Sequence, residues 1–509
     1  MERERTDNKG AYRFLHGAEL ALYAVMMLAT AAVALTSVVH PDDTLLMLTA
    51  SLAGTAVFFL AVHFLAGRLR PLPGRALFVL LILYGILLYA AALSYGNRWE
   101  GVMQADYSEV YLGASELALG EALSQEGYFL YYSNNIKPMI LLSVLMRVSN
   151  ALGFPDPYYI LLLLSCLLVA GSLYAAWVLA GEQRFRLMLL LQFALCLPVW
   201  LMTDMFYTDA LSFGTGLMAV ALLHCAGNLR GEDAGRRVRS VLRLAAGALL
   251  LGIGMTVKIT ALFPLIAYVL TLLFAAGKGR APFRPYKMLL FAALLVITLL
   301  VTNARMAGYD ISRKAADSAN PAISWIALGL HGDGSWTAGY DFIHEINAME
   351  TTEEKRAASA EYIRTHAADF FDPVHLFQKM QTNFNSGTLG VKSFLREDPE
   401  TREHPFYRMF ANGGSLYWPV TGFCMIYIFS VYLSLFLGML ACFVRLLRNR
   451  DIPPVTECCH ICFFGLFVFL MLWEANNLQL YNQIPVLTLG ALLSADCFLK
   501  TFFAGKEQA

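Results

Sequence analysis

The sequence is poor in charged residues. Only 15% of its 509 residues are charged and 58% are hydrophobic, whereas an average soluble domain carries about 25% charged residues. Such a composition excludes a soluble enzyme, a secreted disulfide scaffold and a disordered chain. Net charge is missing too, because 38 basic residues balance 38 acidic ones. A nucleic-acid partner is therefore not expected.

The sequence instead contains long apolar runs, and the length of each is close to the ~20 residues that a membrane span needs. A backbone surrounded by lipid has to satisfy its hydrogen bonds internally, so each run is predicted to be a helix. The predicted fold class is an all-α polytopic membrane protein with about twelve transmembrane helices. The runs are 17–39, 45–66, 75–95, 157–180, 185–202, 206–226, 241–256, 260–277, 287–304, 414–441, 459–475 and 479–499.

The distribution of Lys and Arg predicts the orientation, since cytoplasmic loops of membrane proteins are enriched in both. Four connecting segments, 67–75, 228–243, 278–287 and 445–450, are basic, and both termini fall on their side of the membrane. The loop 40–44 has neither Lys nor Arg and is expected outside. The prediction is a multi-pass protein of the plasma (cytoplasmic) membrane with cytoplasmic N- and C-termini.

Two long segments, 96–156 and 305–413, then face outward. Neither contains a cysteine, which excludes a disulfide framework there. Within the first, 137–152 is too short to span, so it is predicted to lie in the outer interface. The second is long enough for a small extracytoplasmic cap of mixed character. The chain thus divides into a pair of transmembrane helices (1–74), a transmembrane module with the first outer loop (75–304), the cap (305–413) and C-terminal transmembrane helices (414–509).

Ionisable residues gather at the predicted outer face. Asp106 begins a helix along the membrane surface, and Glu109 shares its face one turn later. A carboxylate there is a candidate general base; the alternative is a solvated carboxylate that the helix dipole favours. Asp209 follows a short turn at membrane depth, where ionisable residues are costly and usually functional.

Three cations, Lys137, Lys258 and Arg305, are predicted at the same face. Each alone is equally well explained as a side chain that snorkels to the lipid surface. Together with Asp106 and Asp209 they suit an anionic lipid head group beside a proton acceptor.

The order of these elements resembles that of a known group of enzymes. An outer loop with Asp106, the pair Lys137-Pro138, the turn 207–211 and the element 258–260 are similar to those of membrane glycosyltransferases with the GT-C fold. The resemblance is to their polyprenyl-phosphate-sugar-dependent group, which includes protein O-mannosyltransferases (family 39) and aminoarabinose transferases. It covers residues 75–310 and implies the GT-C fold for this chain.

The sequence departs from that family at two positions. Relatives often have an acidic residue before the Lys-Pro pair, where this chain has Ile136, and an Arg before a late Tyr, where it has Leu480 after Gln479. The first departure leaves a divalent cation open as a cofactor, and no other cofactor is expected. The second removes an expected cation from the C-terminal region.

The resemblance implies an inverting glycosyltransferase that moves a hexose or pentose from a polyprenyl-phosphate donor at the extracytoplasmic face. The acceptor is a glycan of the cell envelope, such as a cell wall polysaccharide, a lipid or a protein. The resemblance implies Asp106 as general base, Asp209 as an orienting residue, and Lys137, Lys258 and Arg305 as donor phosphate ligands. The candidate sugar or acceptor pocket consists of Tyr107, Glu109, Trp325, His331, Trp336 and Tyr481.

Other functions stay open. A transporter or flippase of lipid-linked saccharides is expected to show repeats or broken helices near the midplane, whereas this sequence has no internal repeat and gathers its polar groups at one face. A ligase of lipid-linked oligosaccharides uses the same kind of donor, and the sequence does not separate it from single-sugar transfer. A scaffold without catalysis is a third alternative.

Overall fold

The protein, seen in a computed structural model, is built of helices. The described residues are 2–39, 44–68, 72–95, 105–154, 156–227, 233–279, 284–385, 387–394, 409–410 and 412–503. They contain no β-strand, which confirms the all-α prediction. The predicted outer loop 40–44, apart from Thr44, lies outside the described residues, and so do three of the basic loop residues, Arg70, Arg230 and Arg280.

The helices follow one another with short connections. The first twelve are α1 (Glu2–Val38), α2 (Thr44–Arg68), α3 (Gly74–Tyr95), α4 (Ala105–Leu119), α5 (Glu126–Tyr131), α6 (Ile136–Ala151), α7 (Tyr158–Ala180), α8 (Gln183–Leu195), α9 (Leu197–Met202), α10 (Thr208–Leu211), α11 (Thr215–Cys225) and α12 (Ala234–Val257). The remainder are α13 (Phe263–Gly277), α14 (Pro285–Ala307), α15 (Asp310–Ala315), α16 (Ala322–Leu328), α17 (Tyr340–Ala348), α18 (Thr352–Thr365), α19 (Pro373–Met380), α20 (Val391–Phe394), α21 (Tyr417–Leu447), α22 (Pro454–Leu472) and α23 (Ile484–Phe502).

Eleven helical segments of the described chain are long and apolar enough to cross a membrane. The protein is therefore a multi-pass, all-α membrane protein, as its composition predicts. The segments are Tyr12–Val38, Thr44–Phe64, Gly74–Ser94, Tyr158–Ala180, Thr208–Cys225, Ala234–Val257, Ile259–Gly277, Pro285–Ala307, Tyr417–Leu447, Pro454–Leu472 and Asn477–Phe502.

The predicted span 185–202 is the one that differs, because it is divided into α8 and α9 at Cys196. Pro198 has no N–H and cannot donate to the carbonyl four residues earlier. That carbonyl, of Ala194, instead accepts a hydrogen bond from the indole of Trp200 at 2.9 Å. A helix broken at this point keeps its backbone satisfied, and the described residues contain eleven candidate spans rather than twelve.

The two short helices nevertheless connect the two ends of the bundle. At the start of α8, Arg184 pairs with Asp496 of α23 at 3.2 Å, close to the C-terminal end of that last helix. Just after α9, the carbonyl of Asp204 accepts a hydrogen bond from Tyr107 of α4 at 3.2 Å. We call the end of the bundle at which Asp204 and Tyr107 meet the site end.

The centre of the bundle is the segment Thr208–Cys225, whose most apolar stretch is 83% buried, whereas that of Pro285–Ala307 is 11% buried and faces outward. Asn482, just before α23, joins two chain segments of this centre by hydrogen bonds. Its amide donates to the hydroxyls of Ser212 at 3.0 Å and Thr260 at 2.9 Å. These bonds fix the two chain segments that carry Asp209 and Lys258.

The segment predicted to lie in the interface forms α6, whose 16 residues make it shorter than the candidate spanning segments, each of which has at least 18 residues. It packs closely on α4 at Gly113, where an added Cβ atom would lie 2.8 Å from the Met139 sulfur and 2.9 Å from the Phe129 ring. Arg147 of α6 also donates to the carbonyl of Leu117. The pair α4 and α6 is therefore one unit, and Asp106 stands at its start.

The predicted cap is helical in its described part, from α15 to α20. It has a small hydrophobic core of its own, separate from that of the bundle. The core residues are Ala327, Leu328, Phe342, Ile343 and Ile346. The cap is thus a folded unit, in keeping with the length of the segment.

Candidate functional site

The carboxylate of Asp106 is held in place by two tyrosines. Asp106 is exposed in the first turn of α4. The hydroxyl of Tyr128 donates to one of its oxygens at 2.7 Å, and the hydroxyl of Tyr207 donates to the other at 3.3 Å. The side chain is therefore fixed in orientation but open to solvent, as a reacting carboxylate has to be.

Asn135 joins these two tyrosines behind Asp106. The buried Asn135 amide donates to the Tyr128 hydroxyl, and its carbonyl oxygen lies 3.1 Å from the hydroxyl of Tyr207. The resulting network connects α4, α5 and the turn before α10. Sequence reasoning did not single out Tyr128 or Asn135. Their only signal is a run of neutral polar and aromatic residues shortly before Lys137.

Asp209 and Lys258 form a buried ion pair. The Lys258 ammonium lies 2.5 Å from a carboxylate oxygen of Asp209, and their side chains are only 14% and 1% exposed. The hydroxyl of Thr208 donates to the second oxygen at 3.2 Å. Lys258 reaches this position because α12 ends at Val257 and the next residue is extended. The two residues form one unit rather than two separate groups.

Both halves of the site lie at the same end of the bundle. Tyr207 hydrogen-bonds Asp106, and Asp209 follows it by two residues in the chain. The structure therefore brings Asp106, Asp209 and Lys258 into one neighbourhood, which is the arrangement that the sequence predicts.

Glu474, between α22 and the helical turn 477–483, adds a carboxylate that is not among the predicted site residues. It is partly buried. Burial and the nearby charge of Asp106 raise the pKa of this carboxyl to about 7, although Lys258 and Lys379 oppose the shift. Glu474 thus lies near both Asp106 and Lys258. Its signal in the sequence is a lone charge directly after an apolar run.

The cations Lys137 and Arg305 lie at the rim of this site. Lys137 donates to the side-chain oxygen of Asn303 in α14 at 3.1 Å. Arg305, two residues further along the same helix, is exposed, and no hydrogen bond or ion pair joins its guanidinium to another described residue. The structure does not join either cation to the ion pair of Lys258.

Three residues of the predicted pocket are packing residues instead. His331 lies inside the cap, stacked on Tyr362 with ring centroids 4.2 Å apart, and burial lowers the pKa of its imidazole. Tyr481 is 1% exposed and packs on Phe213 with centroids 5.2 Å apart. Tyr107 is buried too, and its hydroxyl is used by the Asp204 carbonyl. The structure therefore gives each of these three rings a packing role.

The other predicted pocket residues stay near the site. Trp325 lies against the ring of Tyr132 with centroids 6.0 Å apart, and Trp336 lies close to the hydroxyl of Tyr132. Glu109 has a buried carboxylate oxygen with no partner among the described residues. Burial and the charge of Asp106 raise the pKa of that carboxyl.

The described residues hold no group of three or more His, Cys, Asp or Glu side chains that fits a metal ion. Asp106 and Glu474 lie near each other, but the charges of Lys258 and Lys379 beside Glu474 make that place unfavourable for a divalent cation.

The buried carboxyl of Asp204 predicts that the stability of the protein depends on pH. This residue is 4% exposed, and burial raises the pKa of its carboxyl to about 7. A raised carboxyl pKa means that folding favours the neutral form, so this group costs stability as pH rises from about 4 to 7. We expect Asp204→Asn to raise the melting temperature in detergent at pH 8 and to change it little at pH 5. The exposed Asp310→Asn is the control, and an equal gain at both pH values would contradict the assignment.

Comparison with known protein families gives a match to a family model. The family model described as "conserved hypothetical integral membrane protein" matches residues 101–497. Since this is most of the chain, the protein belongs to that family of integral membrane proteins. No curated protein and no solved structure matches it. The matched region begins just before Asp106 and includes Glu474.

Proposed function

We propose that this protein is an integral membrane glycosyltransferase. It moves a sugar from a polyprenyl-phosphate donor to an envelope acceptor at the extracytoplasmic face of the plasma membrane, with inversion at the anomeric carbon. The observation that carries this proposal is the exposed Asp106 carboxylate, fixed by Tyr128 and Tyr207 beside the buried Asp209–Lys258 pair. Such a polar site at one end of an apolar bundle suits a substrate whose tail stays in the bilayer.

In the proposed reaction, an acceptor hydroxyl oxygen attacks the anomeric carbon of the donor sugar. The bond between that carbon and the phosphate oxygen breaks, and its electron pair leaves with the polyprenyl phosphate. The hydroxyl proton goes to Asp106. Each oxygen of Asp106 accepts one hydrogen bond from a tyrosine and keeps a further lone pair for this proton.

The cations take the charge of the leaving phosphate. The side chains of Lys137 and Arg305 lie at the rim, where they can reach a lipid phosphate. The adjacent helix α14 is mostly unburied. Lys258, held by Asp209, supplies a fixed positive charge deeper in the site. Charge that is already in position stabilises a developing anion without reorganisation.

The proposed orientation agrees with the charges at the opposite end of the bundle. Arg184 and Lys500 both lie there, paired with Asp496 at 3.2 and 2.7 Å. Basic residues favour the cytoplasmic side. The site end would then face outward, and both termini would be cytoplasmic.

A transporter or flippase of lipid-linked saccharides is the second candidate, since the break between α8 and α9 is a feature of many transporters. The residue at the break, Cys196, is completely buried. The charged groups Asp106, Asp209, Lys258 and Glu474 cluster instead at the site end. This distribution favours transfer over translocation.

The experiment that separates the two uses the purified protein in lipid nanodiscs. Farnesyl phosphate carrying glucose, mannose, galactose or arabinose is supplied together with an envelope extract from cells that lack the protein. Mass spectrometry should detect free farnesyl phosphate and an acceptor that is heavier by one sugar. In sealed vesicles, movement of an intact donor between leaflets without its cleavage would favour the flippase and contradict the transferase.

A further inference from the structure

The cap is attached to the bundle on both sides of the site. On one side, the backbone N–H of Asn320 donates to the carbonyl of Tyr131 at 3.0 Å. On the other side, the N–H of Ala475, in the loop after α22, donates to the carbonyl of Gly334 at 2.7 Å. The cap is therefore bonded both to the first outer segment, which carries Tyr132, and to the last loop, which carries Glu474.

The hydroxyl of Tyr132 is held by this cap. The side-chain amide of Asn347 donates to it at 3.3 Å. A phenol oxygen that accepts a hydrogen bond still has one proton to donate. No described residue accepts that proton within hydrogen-bond distance. Burial and the nearby carboxylates of Asp106 and Glu474 raise the pKa of this hydroxyl, so it stays protonated.

Glu474 offers the complementary group. Its carboxylate makes no hydrogen bond to another described residue, since the one bond that this residue accepts, from Gln479, goes to its backbone carbonyl. Lys379 lies close enough to oppose the rise in the pKa of Glu474, but its ammonium donates to the carbonyl of Gly329. At pH 8 the Glu474 carboxyl is mainly ionised and has free acceptor positions.

We propose that Tyr132 and Glu474 determine which sugar is transferred, by hydrogen-bonding two adjacent hydroxyl groups of the donor sugar. Tyr132 donates to one hydroxyl and Glu474 accepts from its neighbour. Trp325, which lies against the Tyr132 ring, provides an apolar face for the sugar ring. This inference rests on the proposed glycosyl transfer, but the assignment of Asp106 as general base does not depend on it.

A site built to hydrogen-bond a substrate hydroxyl discriminates strongly against an analogue without it, because its buried polar group is then left unpaired. The test therefore uses the four farnesyl-phosphate sugars and, for the sugar that the wild-type protein accepts, its monodeoxy analogues at each non-anomeric position. The readout is kcat/KM at pH 8 from released farnesyl phosphate. For the wild type, removal of either hydroxyl of one adjacent pair should lower kcat/KM by at least about tenfold.

The variants then assign each hydroxyl to a residue. Tyr132→Phe should transfer the full sugar and one deoxy analogue at nearly equal rates, and Glu474→Ala should do the same for the neighbouring analogue. Glu474→Met, whose side chain has a similar length but no oxygen acceptor, replaces Glu474→Ala if the latter fails a thermal unfolding check. The controls are Tyr131→Phe and Glu126→Gln, since Tyr131 faces Lys355 and Glu126 pairs with Lys314 away from the site.

The two hypotheses fail in different ways. If no donor of the panel is cleaved, the proposed glycosyl transfer is wrong and this inference with it. If a donor is cleaved but Tyr132→Phe and Glu474→Ala keep the wild-type discrimination among the deoxy analogues, only the assignment of the sugar site is overturned.

Discussion

Replacing Asp106 with asparagine should lower kcat for transfer from a polyprenyl-phosphate donor by at least about a hundredfold, the range in which a general base contributes. An amide cannot take the proton of the acceptor hydroxyl. Its oxygen still accepts the hydrogen bond of Tyr128, and Tyr207 keeps Asn135 as a partner at 3.1 Å. The variant is therefore expected to fold and to enter the membrane as the wild type does.

The control is Asp310→Asn, which changes an exposed carboxylate paired with Lys314 outside the site. It should leave kcat unchanged. A further readout follows from Glu474, whose pKa is raised by the charge of Asp106. The pKa of the Glu474 carboxyl should fall in Asp106→Asn, which infrared titration can detect. Normal turnover by Asp106→Asn would remove this residue from the base role.

The sequence predicts the fold class and singles out Asp106, Asp209 and Lys258, but it does not predict that Asp209 pairs with Lys258. Lone charges such as Asp209 and Lys258 stand out in an apolar sequence because each is costly unless it is satisfied. Their partnership depends on the packing of α10 against the end of α12, 49 residues apart in the chain. Nothing local encodes that distance.

The roles of neutral and aromatic residues are harder to predict from the sequence. Tyr128 and Asn135 are ordinary residues for a polar loop, so only the folded arrangement around Asp106 shows their role. His331 and Tyr481 were predicted for the pocket because aromatic residues that pack and those that bind sugars look alike in a sequence. The break at Cys196, by contrast, could have been predicted from Pro198, since a proline inside an apolar run removes a helix hydrogen bond.

The second large effect is expected at the buried ion pair. Removing one partner of such a pair leaves the other charge buried and uncompensated, which costs about 3–5 kcal/mol. Asp209→Asn and Lys258→Met should each destabilise the protein by about this amount, and both should reduce use of the lipid donor. The matched controls are Asp310→Asn and Arg313→Met, because that pair is 66% and 68% exposed, and exposed pairs contribute about 0–1 kcal/mol.

The double variant Asp209→Asn/Lys258→Met separates structure from catalysis. It removes both buried charges, so most of the lost stability should return, whereas the fixed positive charge for the leaving phosphate is gone. We therefore expect near wild-type unfolding in detergent together with a raised KM for the donor and a lowered kcat. If the double variant recovers transfer along with stability, Lys258 acts only as a partner for Asp209. Donor binding would then depend on Lys137 and Arg305 at the rim.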